Sequence, residues 1–422
     1  MIAAVRPMAA LLAGAALLLT GSGLLGSTLA VRGQIEGYDP ATFGLVMSAY
    51  FIGFLVGTYL APNLIRRIGH IRAFAFYSSL AAATVLLHAV LTEPWAWGLL
   101  RALTGVALVG LYTVIESWLN AAAPPAQRSQ VFAVYMAVNL GGLALGQVLF
   151  GLSDPASFVP LSLVAVLVCL AALPVTASWM TQPELPHSPR LALPTIYRTA
   201  PAAASGALLS GLAMGGFWGL GAVYATQIGL DVAQVATLVF VTILGGALMQ
   251  WPIGRLSDRG DRRTAMALVS LLASAVAVGL ALVGDLGRHL LYALFFIYGG
   301  LVFTIYPICV AHLLDHLPPE GMLSGCSSLL LLNGVGSALG PAIAGAAMER
   351  LGATALPGFF AIAFGVLALV AAGRRLLRRR ERDHPAHFHP MLRTTPSALE
   401  MLPEPHAADP DTADAQESTA SA

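Results

Sequence analysis

One arginine lies well inside an otherwise apolar stretch of the sequence. Arg101 stands about six residues into residues 95–119, whose second charge, Glu116, lies near the other end. Its guanidinium is permanently charged and presents a planar fork of donors that matches a carboxylate. From the residues alone two roles stay open for Arg101: it binds an anionic or carbonyl-bearing substrate, or it donates to backbone carbonyls and is structural. We favour the functional role, because a charge inside a long apolar helix in lipid costs at least a few kcal/mol and is functional by default.

Several other kinds of chemistry are missing from the sequence. All 22 basic residues counted as Lys or Arg are arginine, which excludes a Walker A P-loop and a lysine Schiff base. The three cysteines lie in apolar runs without CxxC spacing, and no His, Asp and Glu cluster of the kind a membrane enzyme needs is visible. We interpret the DHPAHFH run near the C-terminus as a solvated tail. We therefore expect no catalytic residue, metal or cofactor, and a net charge of +1 argues against nucleic acid.

Long uncharged stretches make up most of the chain. Hydrophobic residues are 57% of the sequence and charged residues 10%, whereas an ordinary globular domain is near a quarter charged. Eleven stretches of at least 20 residues contain no charged residue, and residues 95–119 make a twelfth. Such a stretch spans roughly 30 Å as a helix, and in lipid only helices or closed barrels satisfy the backbone. Because no stretch alternates with a period of two, we predict twelve membrane-spanning helices.

The arginines are divided unequally between the two sets of loops. With the N-terminus inside, the inner loops and tails hold eighteen arginines and the outer loops hold three, which are Arg32, Arg288 and Arg350. Positively charged residues concentrate on the cytoplasmic side of membrane proteins. We therefore expect a multi-pass protein with both termini in the cytoplasm.

The chain repeats itself at an offset of 194 residues. At this offset, four residues of the fifth predicted helix have identical counterparts in the eleventh: Asn139, Gly142, Gly146 and Gly151 match Asn333, Gly336, Gly340 and Gly345. A generic packing face of small residues is the alternative, but four coincidences favour a duplication. The predicted organisation is a six-helix bundle over 1–180, a cytoplasmic linker over 181–200, a second bundle over 201–375, and a basic then disordered tail over 376–422.

Two loops and one helix carry motifs of a known family. The sequence GRLSDRGDRR at 254–263 resembles the major facilitator signature G-x-x-x-D-R-x-G-R-R, with Asp261 in place of the second glycine. The matching loop of the first half keeps only Arg67 and Gly69 of this signature. Arg101 and Gly105 are similar to the R-x-x-x-G motif of proton-coupled members, which implies a third possible role for Arg101, beside a water-connected proton path. The string VIESWLN at 114–120, together with Arg128 and the Gly146–Gln147 pair, resembles the YcaD-like group of bacterial major facilitators.

The resemblance implies an all-α integral membrane fold of twelve helices in two pseudo-symmetric six-helix bundles, with a substrate site at the midplane between them. It also implies charged interlocks that close the cytoplasmic ends: Arg67 with Glu116, and Asp258 and Arg259 with Asp315. An alternative is that these charges only set the topology. The residues that we assign to the gate are Arg67, Gly69, Glu116, Arg128, Gly254, Asp258, Arg259, Arg263 and Asp315.

The superfamily lines its pathway with the first, fourth, seventh and tenth helices. The polar and aromatic residues there are Thr20, Ser22, Arg101, Tyr112, Trp218, Tyr224, Tyr298 and Tyr306, of which the last six are the main candidates. No carboxylate lies near the middle of any predicted helix, and a single His near a helix end, such as His88, is more often structural. Gln147 takes the proline position of the antiporter signature in the fifth helix, so uptake and efflux both stay open.

The resemblance implies a secondary active transporter of the bacterial inner membrane, which moves a small solute by alternating access and is coupled to protons. Its expected partners are the solute, membrane lipid and protons, and we expect a monomer. A receptor that binds without transport and an integral membrane enzyme are the alternatives. A receptor is expected to lose the gate charges, but these charges are present here. An integral membrane enzyme needs a cluster of His, Asp and Glu at one membrane face, and the sequence shows no such cluster.

Overall fold

The computed structural model describes residues 8–177, 193–282, 287–318, 321–377, 387–391, 395–399 and 401. Within these residues, twelve helices are long and apolar enough to cross a membrane, as the sequence predicts. They are α1 Ala9–Ile35, α2 Pro40–Ile68, α3 His70–Leu87, α4 Pro94–Ala122, α5 Arg128–Gly151, α6 Val159–Thr176, α7 Pro201–Gln227, α8 Val232–Arg259, α9 Arg262–Leu282, α10 Arg288–Leu314, α11 Met322–Leu351 and α12 Ala355–Leu377. Leu193–Thr199 and Pro396–Leu399 form short helices.

Consecutive helices run in opposite directions, so their loops alternate between two faces of the molecule. We call the face with Arg66, Arg67, Arg128, Arg255 and Arg259 the arginine-rich face, and the face with the loops 36–39, 88–93, 152–158, 228–231 and 352–354 the arginine-poor face. The described helix bounds therefore separate the basic loops from the others in the way that the sequence predicts.

Two aspartates start equivalent helices at the arginine-poor face. The Asp39 carboxylate accepts from the Thr42 amide at 2.7 Å, and Pro40 occupies the first turn of α2, where its missing N–H costs nothing. In the second half, Asp231 accepts from the Gln234 amide at 2.9 Å and the Gln234 side chain bonds back to the Asp231 amide. This capping box fixes the start of α8.

The two halves pack in the same pattern, which is what a duplicated sequence predicts. In the first half α2 packs on α4, α1 on α5 and α3 on α6. In the second half the corresponding pairs are α8 with α10, α7 with α11 and α9 with α12. The repeated glycines carry two of these contacts: Gly146 lies against the α1 backbone at Thr20, and Gly340 lies against the α7 backbone at Leu212. The small-residue repeat is thus the helix-packing face of both halves.

The halves meet in a tight seam on the arginine-poor face. A Cβ atom at Gly44 would collide with the carbonyl oxygen of Pro341, and a Cβ atom at Gly345 would collide with that of Pro40. The amide of Ala342 donates to the Ser48 hydroxyl at 3.1 Å across the same contact of α2 with α11. The backbones of the two halves therefore touch here, and this face of the molecule is closed.

Candidate functional site

A cavity lies between the two halves, on the arginine-rich side of the seam. It has a water-accessible volume of about 160 Å³, enough for about ten water molecules. Its walls come from eight helices, α1, α2, α4, α5, α7, α8, α10 and α11, and from Met391 of the C-terminal segment. A cavity shared by both halves in this way is where transporters built from repeats bind their substrates.

Arg101 is the one charged side chain among the described residues that line this cavity. Its side chain is buried, and the guanidinium carbon lies 4.4 Å from the centre of the Tyr50 ring, in a cation–π contact. His88, at the end of α3, is also buried, and its Nδ1 donates to the Thr84 carbonyl at 2.6 Å. Burial, together with the Arg101 charge, lowers the pKa of His88 to about 3. The neighbouring histidine is therefore neutral and does not share the positive charge.

One face of α4 connects the cavity to the arginine-rich face. Arg101, Leu108 and Tyr112 line the cavity, and Glu116 follows one turn later. The spacings of seven and four residues place all four side chains on one stripe of the helix. From Arg101 to Glu116 the rise is roughly 22 Å, so the stripe runs through most of the membrane thickness.

The aromatic candidates separate into two groups. Tyr112, Trp218 and Tyr306 line the cavity, and the Trp218 ring lies 6.1 Å from that of Phe303. Tyr298 instead stacks on Phe360 inside the second half, with ring centres 5.1 Å apart. Tyr224 packs on Phe295 at 5.9 Å. The structure therefore does not support Tyr224 and Tyr298 as lining residues, because both rings fill the interior of the second half rather than its face toward the cavity.

The sequence analysis missed the amides of the cavity wall. Asn139, Gln147 and Asn333 all line it. Gln147 accepts from the Ser27 hydroxyl at 2.7 Å and donates to the Gly23 carbonyl at 2.8 Å, and so joins α5 to α1. The repeat contained a usable signal, because Asn139 and Asn333 are paired at the same offset as the packing glycines. They were assigned to packing only.

Arg262 holds the charged cluster of the second half. Its Nε donates to Asp315 at 2.7 Å and its Nη1 donates to Asp258 at 2.9 Å, so it joins the ends of α8 and α10 from the first turn of α9. The side chains of Arg262 and Asp315 are both 1% exposed. The expected partner, Arg259, is exposed instead. The pairing of Arg259 with Asp315, which the resemblance implies for closed cytoplasmic ends, is not present in this conformation, in which Arg259 lies about 200° around α8 from the buried Ser257.

The predicted pairing of Arg67 with Glu116 is also absent. Arg67 is exposed, because α2 buries Ala61 and Ile65 and the side chain two residues later points to the opposite side. Gly69 turns the chain from α2 into α3 with a φ of 82°. Arg128 and Arg263 are half-buried at the first turns of α5 and α9.

Glu116 is fully buried and has other partners. Its Oε1 accepts from the Tyr135 hydroxyl at 2.9 Å. Its Oε2 accepts from the amide of Thr395 at 2.8 Å and from the hydroxyl of the same residue. Three donors thus satisfy a carboxylate that burial would otherwise destabilise. The donor that replaces Arg67 comes from the C-terminal segment.

The prediction that the tail is disordered is wrong for residues 387–391, 395–399 and 401. Phe388, Met391, Ala398, Leu399 and Met401 are buried between the ends of the helices at the arginine-rich face. The tail as a whole is rich in Pro and Asp, so its average composition does not indicate these apolar residues. It also does not indicate the hydrogen bonds of the segment to Glu116 and Asp258. The described residues contain no group of three His, Cys, Asp or Glu that could hold a metal ion.

Comparisons with known proteins identify a family. The model of the Major Facilitator Superfamily matches residues 11–322 and 203–403. An uncharacterized MFS-type transporter of Yersinia enterocolitica is 28% identical over 347 residues, which are 82% of this chain and 90% of the relative. The uncharacterized MFS-type transporter YcaD of Salmonella paratyphi A is 29% identical over 348 residues, with the same coverage, 82% and 90%.

The fold also resembles solved structures. The crystal structure of the nucleoside transporter NupG superimposes with a TM-score of 0.71 over 87% of this chain and 98% of the other, at 18% identity. At this identity the similarity shows a shared fold and carries no information on the solute.

Proposed function

The chain belongs to the Major Facilitator Superfamily and is a multi-pass membrane transporter, and we propose that it is a secondary active transporter that moves a small solute by alternating access. The observation that carries this proposal is the cavity between the two halves, which is closed on one face by the contact of α2 with α11. Rocking of one half against the other around this cavity exposes it to the two faces in turn.

The arginine-rich face is proposed to lie in the cytoplasm of a bacterium, with the chain in the inner membrane and both termini inside. The unequal distribution of arginines supports this orientation. The proposed units are the bundles over residues 1–180 and 201–375, the linker over 181–200 and the tail over 376–422, and a monomer contains one complete cavity.

The charged cluster at the arginine-rich ends is proposed to be the gate. Arg262 supports this role, because it links the ends of α8 and α10 through Asp258 and Asp315. Glu116 is proposed as its counterpart on α4. When the arginine-rich ends approach one another, the exposed Arg67 and Arg259 become able to reach carboxylates on neighbouring helices. Gly69, Gly254 and the half-buried Arg128 and Arg263 belong to the loops and helix ends of the same face and are proposed as parts of the gate.

Arg101 is proposed to bind the solute, which in this proposal carries a carboxylate or a similar anionic group. A buried guanidinium beside a neutral histidine supports this role, and the remaining wall supplies amides and the Trp218 ring for the rest of a small amphipathic molecule. Coupling to protons is the driving force that the R-x-x-x-G resemblance supports. A proton taken up with an anion also neutralises the charge that moves.

Binding and transport are tested separately on the purified chain. A thermal-shift screen against organic anions and their neutral analogues first identifies a ligand, and uptake into liposomes with and without a pH gradient then tests transport. We expect the anions to raise the melting temperature and a protonophore to abolish uptake. Binding without uptake under any gradient contradicts the transporter and favours the receptor.

Substitution of Arg101 tests its role. We expect Arg101→Lys to weaken anion binding and Arg101→Ala to weaken it further, by about 10- to 100-fold, since a hydrogen bond to a charged group contributes about 1.5–3 kcal/mol. Arg350→Ala, an exposed arginine on the arginine-poor face, is the matched control and should bind as the parent does. Parental affinity in folded Arg101→Ala removes Arg101 from the site.

A further inference from the structure

We propose that the space between the two halves at the arginine-rich face is a binding site for a peptide, and that its ligand is the C-terminal segment of the chain itself, of which residues 387–391, 395–399 and 401 are described. The segment touches both halves through separate contacts. Each contact is made by a different part of the segment, as the following paragraphs describe.

The beginning of the segment binds the second half. The amide of Phe388 donates to the Asp258 carboxylate at 3.0 Å, on the same oxygen that binds Arg262. The Phe388 ring lies against Gly254 of α8, and a Cβ atom at that glycine would collide with the ring. The first glycine of the loop signature thus provides the space for an aromatic side chain of the tail.

The middle of the segment reaches the central cavity. Met391 is 3% exposed and forms part of the cavity wall. A flexible thioether fills an irregular apolar gap well. The segment therefore covers the cavity on the side opposite the seam.

The end of the segment binds the first half. Both the amide and the hydroxyl of Thr395 donate to one oxygen of Glu116. The helical turn that follows, Pro396–Leu399, packs on α4 and also on α11 of the second half. Hydrogen bonds to a buried carboxylate are the strong kind, so Thr395 is a polar anchor and Leu399 and Met401 are apolar ones.

A peptide in this position holds the halves apart. Phe388 and Thr395 are seven positions apart in the sequence, a length of chain that can span at most about 25 Å. For the cavity to open at the arginine-poor face, the arginine-rich ends must approach one another, and the docked segment occupies that space. The segment is thus an inhibitor of the conformational change. This last step rests on the proposed alternating-access function, whereas docking itself does not.

Pulsed electron spin resonance on the full chain measures docking without a solute. Nitroxides are attached at His387→Cys and Gln130→Cys, both exposed positions, in a Cys169→Ser background that removes the exposed cysteine. We expect one narrow distance in the parent. Thr395→Val removes one charge-assisted hydrogen bond and should lower the ratio of docked to free segment at least about tenfold. The double change Phe388→Ala and Thr395→Val should leave a broad distribution.

These substitutions lie outside the helical bundles, so loss of the fold does not confuse the result. Thr354→Val, the same chemical change at an exposed residue of the arginine-poor face, is the matched control and should keep the narrow distance. A broad distance in the parent, or a narrow one in the double variant, overturns the docking proposal.

A second pair of nitroxides, at Gln130 and Arg255, both exposed, reports the separation of the halves at the arginine-rich face. We expect a shorter distance to appear only when the segment is released. If release leaves this distance unchanged, the inhibitory role is overturned, while the first pair still decides docking. If the distance of this second pair also stays unchanged when an identified solute is added to the released variant, the result contradicts the proposed alternating access itself.

Discussion

Removal of the Arg262 side chain should destabilise the second half strongly. Arg262→Met keeps the apolar volume near the helix ends but removes the ion pair that Arg262 makes at 2.7 Å with Asp315, a side chain that is 1% exposed. Breaking a buried ion pair from one side costs about 3–5 kcal/mol. For a melting unit of about 200 residues, roughly one half of the chain, this corresponds to a melting temperature lower by about 7–12 °C.

Arg259→Met is the matched control for this experiment. Both arginines belong to the same loop motif, but Arg259 is exposed, so its loss should cost about 1 °C or less. Asp315→Asn in the Arg262→Met background removes the uncompensated charge and should restore most of the melting temperature. The assay is thermal unfolding in detergent, followed by tryptophan fluorescence. Equal losses for the two arginines, or losses of Arg262→Met and Asp315→Asn that simply add, contradict the buried-cluster argument.

Three further predictions address the tail, the topology and the seam. Burial, aided by His387 and Arg262 and opposed by Asp258, lowers the pKa of His389 to about 4; docking is therefore complete above the ordinary pKa near 6.5 and weakens as the pH falls from 6.5 toward 4. Between pH 7.5 and 5.5 the docked ratio should fall by up to about tenfold, and His389→Gln should reduce this dependence. The distance between nitroxides at His387→Cys and Gln130→Cys measures both effects, since burial, the largest cause of the pKa shift, remains in that variant. In intact cells a membrane-impermeant thiol reagent should label Ala156→Cys and spare Gln130→Cys; labelling of the second contradicts the orientation. Gly44→Val should separate α2 from α11 and lengthen a nitroxide distance across the seam, whereas Gly98→Val, where a Cβ meets nothing within 4 Å, should not.

Patterns that repeat along the chain were sufficient to predict the fold. Uncharged stretches of membrane length determine twelve helices with little ambiguity, because a backbone in lipid has few alternatives. The repeat of Asn139 and the three glycines also predicted equivalent helix packing in both halves, which the contacts at Gly146 and Gly340 confirm. Arg101 was recognisable as a lining residue, since a charge within a long apolar stretch must face the interior of the protein.

The partners of the gate charges could not be predicted from the loop motif. Four arginines follow one another between residues 255 and 263, and the break between α8 and α9 decides which of them is buried. Because α8 ends at Arg259 and α9 begins at Arg262, the latter faces the end of α10. A shift of the break by one residue changes the direction of each side chain by about 100°, which is finer than a sequence pattern resolves.

The tail shows a second limit. Its average composition favours disorder and takes no account of a surface that the segment can bind. Here the surface is made by residues more than a hundred positions away, at Glu116 and Asp258. The sequence around Thr395 contains no motif that predicts hydrogen bonds with Glu116 or Asp258.

A cavity with one fixed positive charge has an electrical consequence. Arg101 keeps its proton at any physiological pH, so its side chain contributes +1 to the cavity; a bound monovalent anion balances that charge, and a proton taken up with the anion restores it. One elementary charge that crosses the full membrane potential experiences about 2.3 kcal/mol per 100 mV. In the proposed cycle the empty and the loaded protein therefore carry the same charge across the membrane in opposite directions, so the membrane potential favours one conformational change as much as it opposes the other.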